Sequence, residues 1–155
     1  MITIGIDPGQ TGGVSIVSNG QWIDGMRMPI ITRGKWKHVD SRALHNFFKT
    51  SPVLFGPMTF VIESVHSMPS QGVASSFAFG RATGAAEAWA MTYHHPVEWV
   101  TPATWKKALG LSSDKQASLD ACKLHFGANK LWDVKANDGI AESALIALWW
   151  QRQYV

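Results

Sequence analysis

Four carboxylates stand where a carboxylate is either costly or well placed to work. Asp7 closes ITIGID, a run of apolar and β-branched residues suited to a strand buried on both faces. Glu63 closes a second such run, MTFVIE. A charge at the tip of a buried strand is expensive to desolvate unless something pairs with it. Near the end, in NDGIAESALIALWW, Asp138 and Glu142 are spaced i, i+4, which puts both on one face of a helix. Four hard oxygen donors, with few histidines nearby in sequence and no thiol cluster, suit Mg2+ or Mn2+ better than zinc. Four acids can hold two ions about 3.5–4 Å apart, a pair able to activate water and stabilise a leaving oxygen in phosphodiester hydrolysis. Plainer uses exist for three of them. Asp138 can cap a helix, Glu142 can favour its first turn, and Asp7-Pro8-Gly9 can be a simple Asx turn. Spacing alone does not bring the helix to the strand tips.

The elements that would carry these groups can be read in order. A strand to residue 7 is followed by the turn PGQTGG and a second strand over 13–17. Asn19-Gly20 is a hairpin signal, leading to a third strand over 21–28 and completing an antiparallel meander. TRGKWKHVD reads as a polar loop before a helix capped near Asp40, with Leu44, Phe47 and Phe48 on one face. A strand over 58–62 ends at Glu63, and a loop with Pro69 and Gly72 leads to a long helix over 73–93. In it Gly80, Ala82, Gly84, Ala85 and Ala86 permit close approach of a neighbour. Residues 95–100 read as a fifth strand, Thr101-Pro102 starts a short helix, and Ser113-Asp114-Lys115-Gln116 fits a capping box for a helix to 126. The last helix starts near Asn137 and runs on to the end. This order implies an α/β fold, a meander extended by crossover units into a mixed five-stranded sheet flanked by helices. If the strands of Asp7 and Glu63 are parallel neighbours, their tips lie about 5 Å apart. That is the sheet edge where open α/β folds bind ligands.

A length of 155 residues fits one domain, 1–155, with enough chain for a real core. The net charge of +3 permits a polyanionic partner without demanding one. Cys122 is the single cysteine, so no internal disulfide forms and a reducing compartment is expected. No run approaches the roughly 18 apolar residues of a membrane span, and no basic leader precedes the first strand, which together predict a cytoplasmic location. Eight tryptophans exceed the obvious needs of such a core, leaving some to stack on a ligand. TRGKWKH interleaves Trp36 with Arg33, Lys35 and Lys37, a candidate DNA-binding arm.

Four segments in order, IGIDPGQTGGVSIV, FVIESVHSMPSQGVASSFAFGRATGAAEA, VTPATWKKALGLSSDKQAS and NDGIAESALIAL, resemble the motifs of the RuvC family of Holliday junction resolvases, in its phage-type branch. The resemblance covers most of the chain. It implies an RNase H-like fold, a homodimer, and paired metal-dependent nicks across a four-way DNA junction, without a nucleotide cofactor. It makes Asp7, Glu63, Asp138 and Glu142 the ligands of Mg2+ or Mn2+, two ions per site. The interval between the last two acids is four here, where the bacterial enzymes typically have three. Lys106 and Lys115 fall at the family's paired lysines and are expected on the scissile or flanking phosphates, Lys115 as part of the catalytic set and Lys107 beside them. His66, with Met68 close by, occupies the place of the family's wedge aromatic. The helix around Gly80 to Ala86 and the Trp149-Trp150 tail are candidate dimer surfaces. If the chain is phage-encoded, its compartment is the host cytoplasm. A general branched-DNA nuclease and an inactive junction-binding module share these features. An actin-like ATPase, which DPGQTGG also resembles, would need a second phosphate loop and far more chain.

Overall fold

The computed structural model describes residues 1–51 and 56–154. Three strands form the expected meander: β1 (Ile2–Asp7), β2 (Gly13–Ser18) and β3 (Gln21–Arg27). The β2–β3 connection holds Asn19 and Gly20 both at positive φ, the geometry a type I′ hairpin turn requires. A second hairpin follows, β4 (Ile30–Arg33) and β5 (Trp36–Val39), where the sequence reads as a polar loop. Gly34, at φ +62°, takes the first central position of its two-residue turn. Only Ile30 and Val39 of this hairpin pack against the core, so its hydrophobic signal is thin.

Helix α1 (Ser41–Thr50) is capped by Asp40, whose side chain accepts from the amides of Arg42 and Ala43. Then come β6 (Met58–Glu63), α2 (Val73–Met91), β7 (Val97–Val100), α3 (Pro102–Ala108), α4 (Lys115–Phe126) and α5 (Asp138–Tyr154), the last preceded by two short 3-10 turns. The cap of α4 is Asp114, accepting from the Gln116 amide at 3.0 Å, and not Ser113 as the capping-box pattern proposes.

The strand order is β3-β2-β1-β6-β7, with β1–β6 and β6–β7 parallel and the rest antiparallel. Strand alternation sorts the side chains onto two layers. Ile2, Ile4, Ile6, Phe60 and Ile62 join Leu44, Phe48 and Trp89 in a core under α1 and α2. Val61 faces the other way, into a core built with Trp105, Leu119, Trp132 and the buried face of α5. By the same alternation Asp7 and Glu63 point to the α5 side. The register Ile6↔Ile62 makes them lateral neighbours.

Two devices seat α5 across β1 and β2. The first is absence of side chains. A methyl on Gly5 would run into the Ser143 carbonyl and lie 3.0 Å from the Ala147 amide, and one on Gly13 would lie 2.7 Å from the Gly139 backbone. The second is a buried polar seam. Ser143 donates to Ser15 Oγ at 2.8 Å, and Gln151 reaches Thr3 Oγ1 and the Val17 carbonyl, each at 3.0 Å. Trp149 is buried in this layer, while Trp150 stacks on Tyr154 at 4.1 Å.

Candidate active site

With α5 seated, one turn of helix past Gly139 delivers Glu142 to the strand tips. Asp7, Glu63 and Glu142 each present a carboxylate oxygen within 4.8 Å of the other two. Like charges that close repel by roughly 3 kcal/mol per pair at an effective dielectric near 20. Burial, then the charges of Glu63 and Glu142, hold the Asp7 carboxyl well above its ordinary range, against a lowering bond from the Gly9 amide. Glu63 is also raised, chiefly by burial, with the Trp105 hydrogen bond opposing.

Partial compensation comes from α3 and α4. Trp105, fully buried, donates its indole N–H to Glu63 at 2.8 Å. Lys106 meets Glu142 at 2.7 Å, with both side chains largely shielded, and Ser118 Oγ approaches the same carboxylate at 3.4 Å. Neither Asp7 nor Glu63 has a cation in salt-bridge contact among the described residues. Three carboxylates and one lysine leave a net negative pocket, the donor set a hard divalent cation takes. Cys122, buried elsewhere, adds no soft ligand.

Asp138 stands outside the three-acid cluster. It pairs with Lys115 at 2.6 Å, and this contact raises the lysine pKa. The i, i+4 spacing does put both α5 acids on one face, but only Glu142 joins the strand acids. Lys115 is 70% exposed, so its ion pair is weakly held and readily exchanged. Lys107 is exposed and has no ion pair among the described residues. His66 and Met68 lie exposed on the loop after β6, outside the cluster, and Arg33, Lys35, Trp36 and Lys37 lie exposed on the β4–β5 hairpin.

Four residues of the site escape sequence reading. Trp105 falls in the segment VTPATWKKALGLSSDKQAS, but nothing in the sequence gives it a role of its own. Ser118 closes the same segment, equally without an assigned role. Arg27 and Lys135 line a cavity of about 520 Å3 together with Thr11, Lys115 and Asp138. Arg27 also donates to Asn137 at 2.7 Å, fixing the chain just before α5. No motif marks either cation; only the meeting of β3 with the 3-10 turns places them here.

No protein-family model and no curated protein matches the chain. Solved structures do. A Thermus thermophilus RuvC in complex with a Holliday junction substrate is similar over 99% of this chain and 96% of its own, with TM-score 0.66 and 19% identity. A second Thermus thermophilus RuvC structure matches over the same extents at TM-score 0.62 and 19% identity. The fold is RuvC-like. The mixed sheet with helices on both faces is therefore an RNase H-like fold. In this RuvC-like frame the acid cluster occupies the C-terminal edge of the two central parallel strands.

Proposed function

We propose that the chain is a structure-selective endodeoxyribonuclease of the phage-type RuvC branch, resolving four-way DNA junctions by paired phosphodiester hydrolysis that requires a divalent metal. The observation that carries this reading is the undercompensated cluster of Asp7, Glu63 and Glu142, rimmed by lysines. The likeness to a RuvC bound to a Holliday junction supports the substrate.

Asp7, Glu63 and Glu142 would hold a Mg2+ or Mn2+ ion, with Asp138 completing a second site. Such ions supply acidified water and charge neutralisation at the phosphate. The chain's own groups do the rest. Trp105 fixes one Glu63 oxygen and so the direction of the other. Lys106 holds Glu142 against the repulsion of its neighbours. Lys115 exchanges Asp138 for a DNA phosphate, offsetting charge that grows during cleavage. Lys107, Arg27 and Lys135 extend the positive rim, and His66 or Met68 on the exposed loop can wedge into the branch point.

A junction with two-fold symmetry calls for two equivalent sites, hence a homodimer. The face of α2 carrying Val73, Gly80, Gly84 and Met91 supports this. Val73 and Met91 are 88% and 51% exposed, and nothing lies within 4 Å of where a side chain on either glycine would begin. Light scattering that finds only monomer at working concentration would remove the dimer.

The function is tested by cutting a synthetic four-way junction beside flap, fork and linear duplex in Mg2+ and Mn2+. Symmetric nicks confined to the junction are expected. Equal cutting of flap and junction would assign a general debranching nuclease instead, and binding without cutting an inactive module.

Trp105→Phe keeps most of the packing and deletes only the N–H. Outer partners of metal ligands are typically worth about 10- to 100-fold in affinity. Mn2+ titration calorimetry should show a loss on that scale, whereas wild-type affinity would make this bond idle.

A further inference from the structure

Gln10 stands between two positively lined hollows. On one side it borders the cavity holding Lys115 and Asp138. On the other it borders hollows formed by the β4–β5 hairpin and α2, and its side-chain amide donates to the Lys37 carbonyl at 3.4 Å. Arg81 of α2 is the shared wall there. It lines a hollow of about 410 Å3 with Arg33, His38 and Arg42, and an adjoining one of about 240 Å3 with Lys35, Trp36 and Phe77. Arg81 is held in place, donating to His38 Nδ1 at 2.7 Å with its guanidinium 5.7 Å from the Phe77 ring centre.

The charge of this region decides its class of partner. Five cations, Arg33, Lys35, Lys37, Arg42 and Arg81, face a single carboxylate, Asp40, which is committed to capping α1. The patch's net charge of +4 thus exceeds the +3 of the whole chain, so the rest of the chain sums to −1. Three of the cations are arginines, whose planar forks match phosphate oxygens bidentately. Trp36, 56% exposed among these charges, offers a ring face for stacking.

We propose that the hairpin–α2 groove is a second DNA-contact site, which seats the backbone of the strand running from the acid cluster past Gln10 and stacks one of its bases on Trp36. This rests on the nuclease reading above for the strand's origin. The groove's own signature is electrostatic. Two contributors, Arg42 of α1 and Arg81 of α2, stand apart from the acid cluster and its paired lysines.

The test is fluorescence anisotropy with a labelled four-way junction, a duplex and a single strand over a range of salt. Each phosphate contact contributes about 0.9 to the slope of log affinity against log salt. The double variant Arg42→Ala/Arg81→Ala should therefore bind at least about tenfold more weakly, with a slope shallower by about 1.5–2. Arg33→Gln, on the hairpin, should repeat the effect at half the slope change. Trp36→Ala should weaken single-strand and junction binding by about tenfold and leave the slope alone. All four positions are exposed, so thermal midpoints should stay at the wild-type value. Wild-type affinity and slope in the arginine variants would overturn the groove, including in favour of an acidic protein as its occupant. If the wild type binds DNA but never cuts it, the nuclease reading falls and the groove stands. If it binds no DNA, both fall.

Discussion

Asp7→Asn is expected to lower divalent-dependent DNA cleavage by at least about 10²–10³-fold, the scale on which single stabilisers of transition-state charge are lost. The same change should make the metal-free protein more stable. Asp7 is held above its ordinary pKa by burial and by Glu63 and Glu142. A group raised on folding contributes its stability below its unfolded pKa, near 3.9, and loses it as pH climbs through the higher folded value. Glu63 acts in the same direction. Metal-free wild type should therefore weaken as pH rises from the carboxylate range toward neutrality, and Asp7→Asn should flatten that decline. For a chain of this size each kcal/mol moves the midpoint by roughly 2–4 °C. Saturating Mg2+ should restore wild type, by about 2.7 kcal/mol at a hundred times its dissociation constant, and do little for the variant. Thermal melts with chelator and with Mg2+, between about pH 5 and 8, check both halves. A variant that melts with the wild-type pH profile, or still cuts DNA, would show that Asp7 bears no uncompensated charge.

Much of this site was open to reading because a strand's two-residue period is strict. Counting from Ile2, Ile4 and Ile6 puts Asp7 on the opposite face to those three, and the same parity puts Glu63 beside Val61. The meeting of the two acids then needs only parallel pairing of β1 and β6, which the register supplies. The helix acids were half legible. A helical face is shared by Asp138 and Glu142, but which of them reaches the strand tips depends on how far along β1 the helix docks. That is set by Gly5, Gly13 and Gly139, whose role is to present no side chain at all. An absent atom leaves no periodic signature. The hairpin at 30–39 was lost for a related reason: it contributes almost nothing to the core and is held by a two-residue turn and by α2. Trp105 shows the converse. Its burial was predictable in kind, yet the one polar atom that matters, an indole N–H aimed at Glu63, cannot be seen until α3 is placed.

The two lysines of the site divide the electrostatic work by their exposure. Lys106 is shielded together with Glu142, so their attraction is little screened, and removing the lysine would leave a half-buried acid beside two others. Lys115 holds Asp138 from solvent, where an ion pair is worth between about 0 and 1 kcal/mol. On the nuclease reading, an incoming phosphate, carrying its own charge and more acceptor oxygens, would compete well at that price. One lysine keeps the acid cluster together, and the other, paired with Asp138 outside it, is available to let its partner go.

Gly5→Ala carries the second large expected effect, because the position allows no relaxation on one side. The new methyl would meet the Ser143 carbonyl and the Ala147 amide, both backbone atoms of α5, so the helix itself must move. Overpacking of this kind costs about 1–3 kcal/mol, which lowers the midpoint by roughly 2–4 °C for each kcal/mol. Glu142 is the residue next to Ser143, and a displacement of about 1 Å at a reacting centre can cost 10²-fold in rate. Gly5→Ala should thus lose stability with or without Mg2+, along with metal affinity and cleavage. That pattern is opposite to Asp7→Asn, which gains stability when metal is absent. Melts of the two variants side by side, with and without Mg2+, separate damage to the helix seat from removal of a ligand. A Gly5→Ala protein with the wild-type midpoint and rate would mean that α5 is free to slide on β1, and that the glycine contact does not set where Glu142 stands.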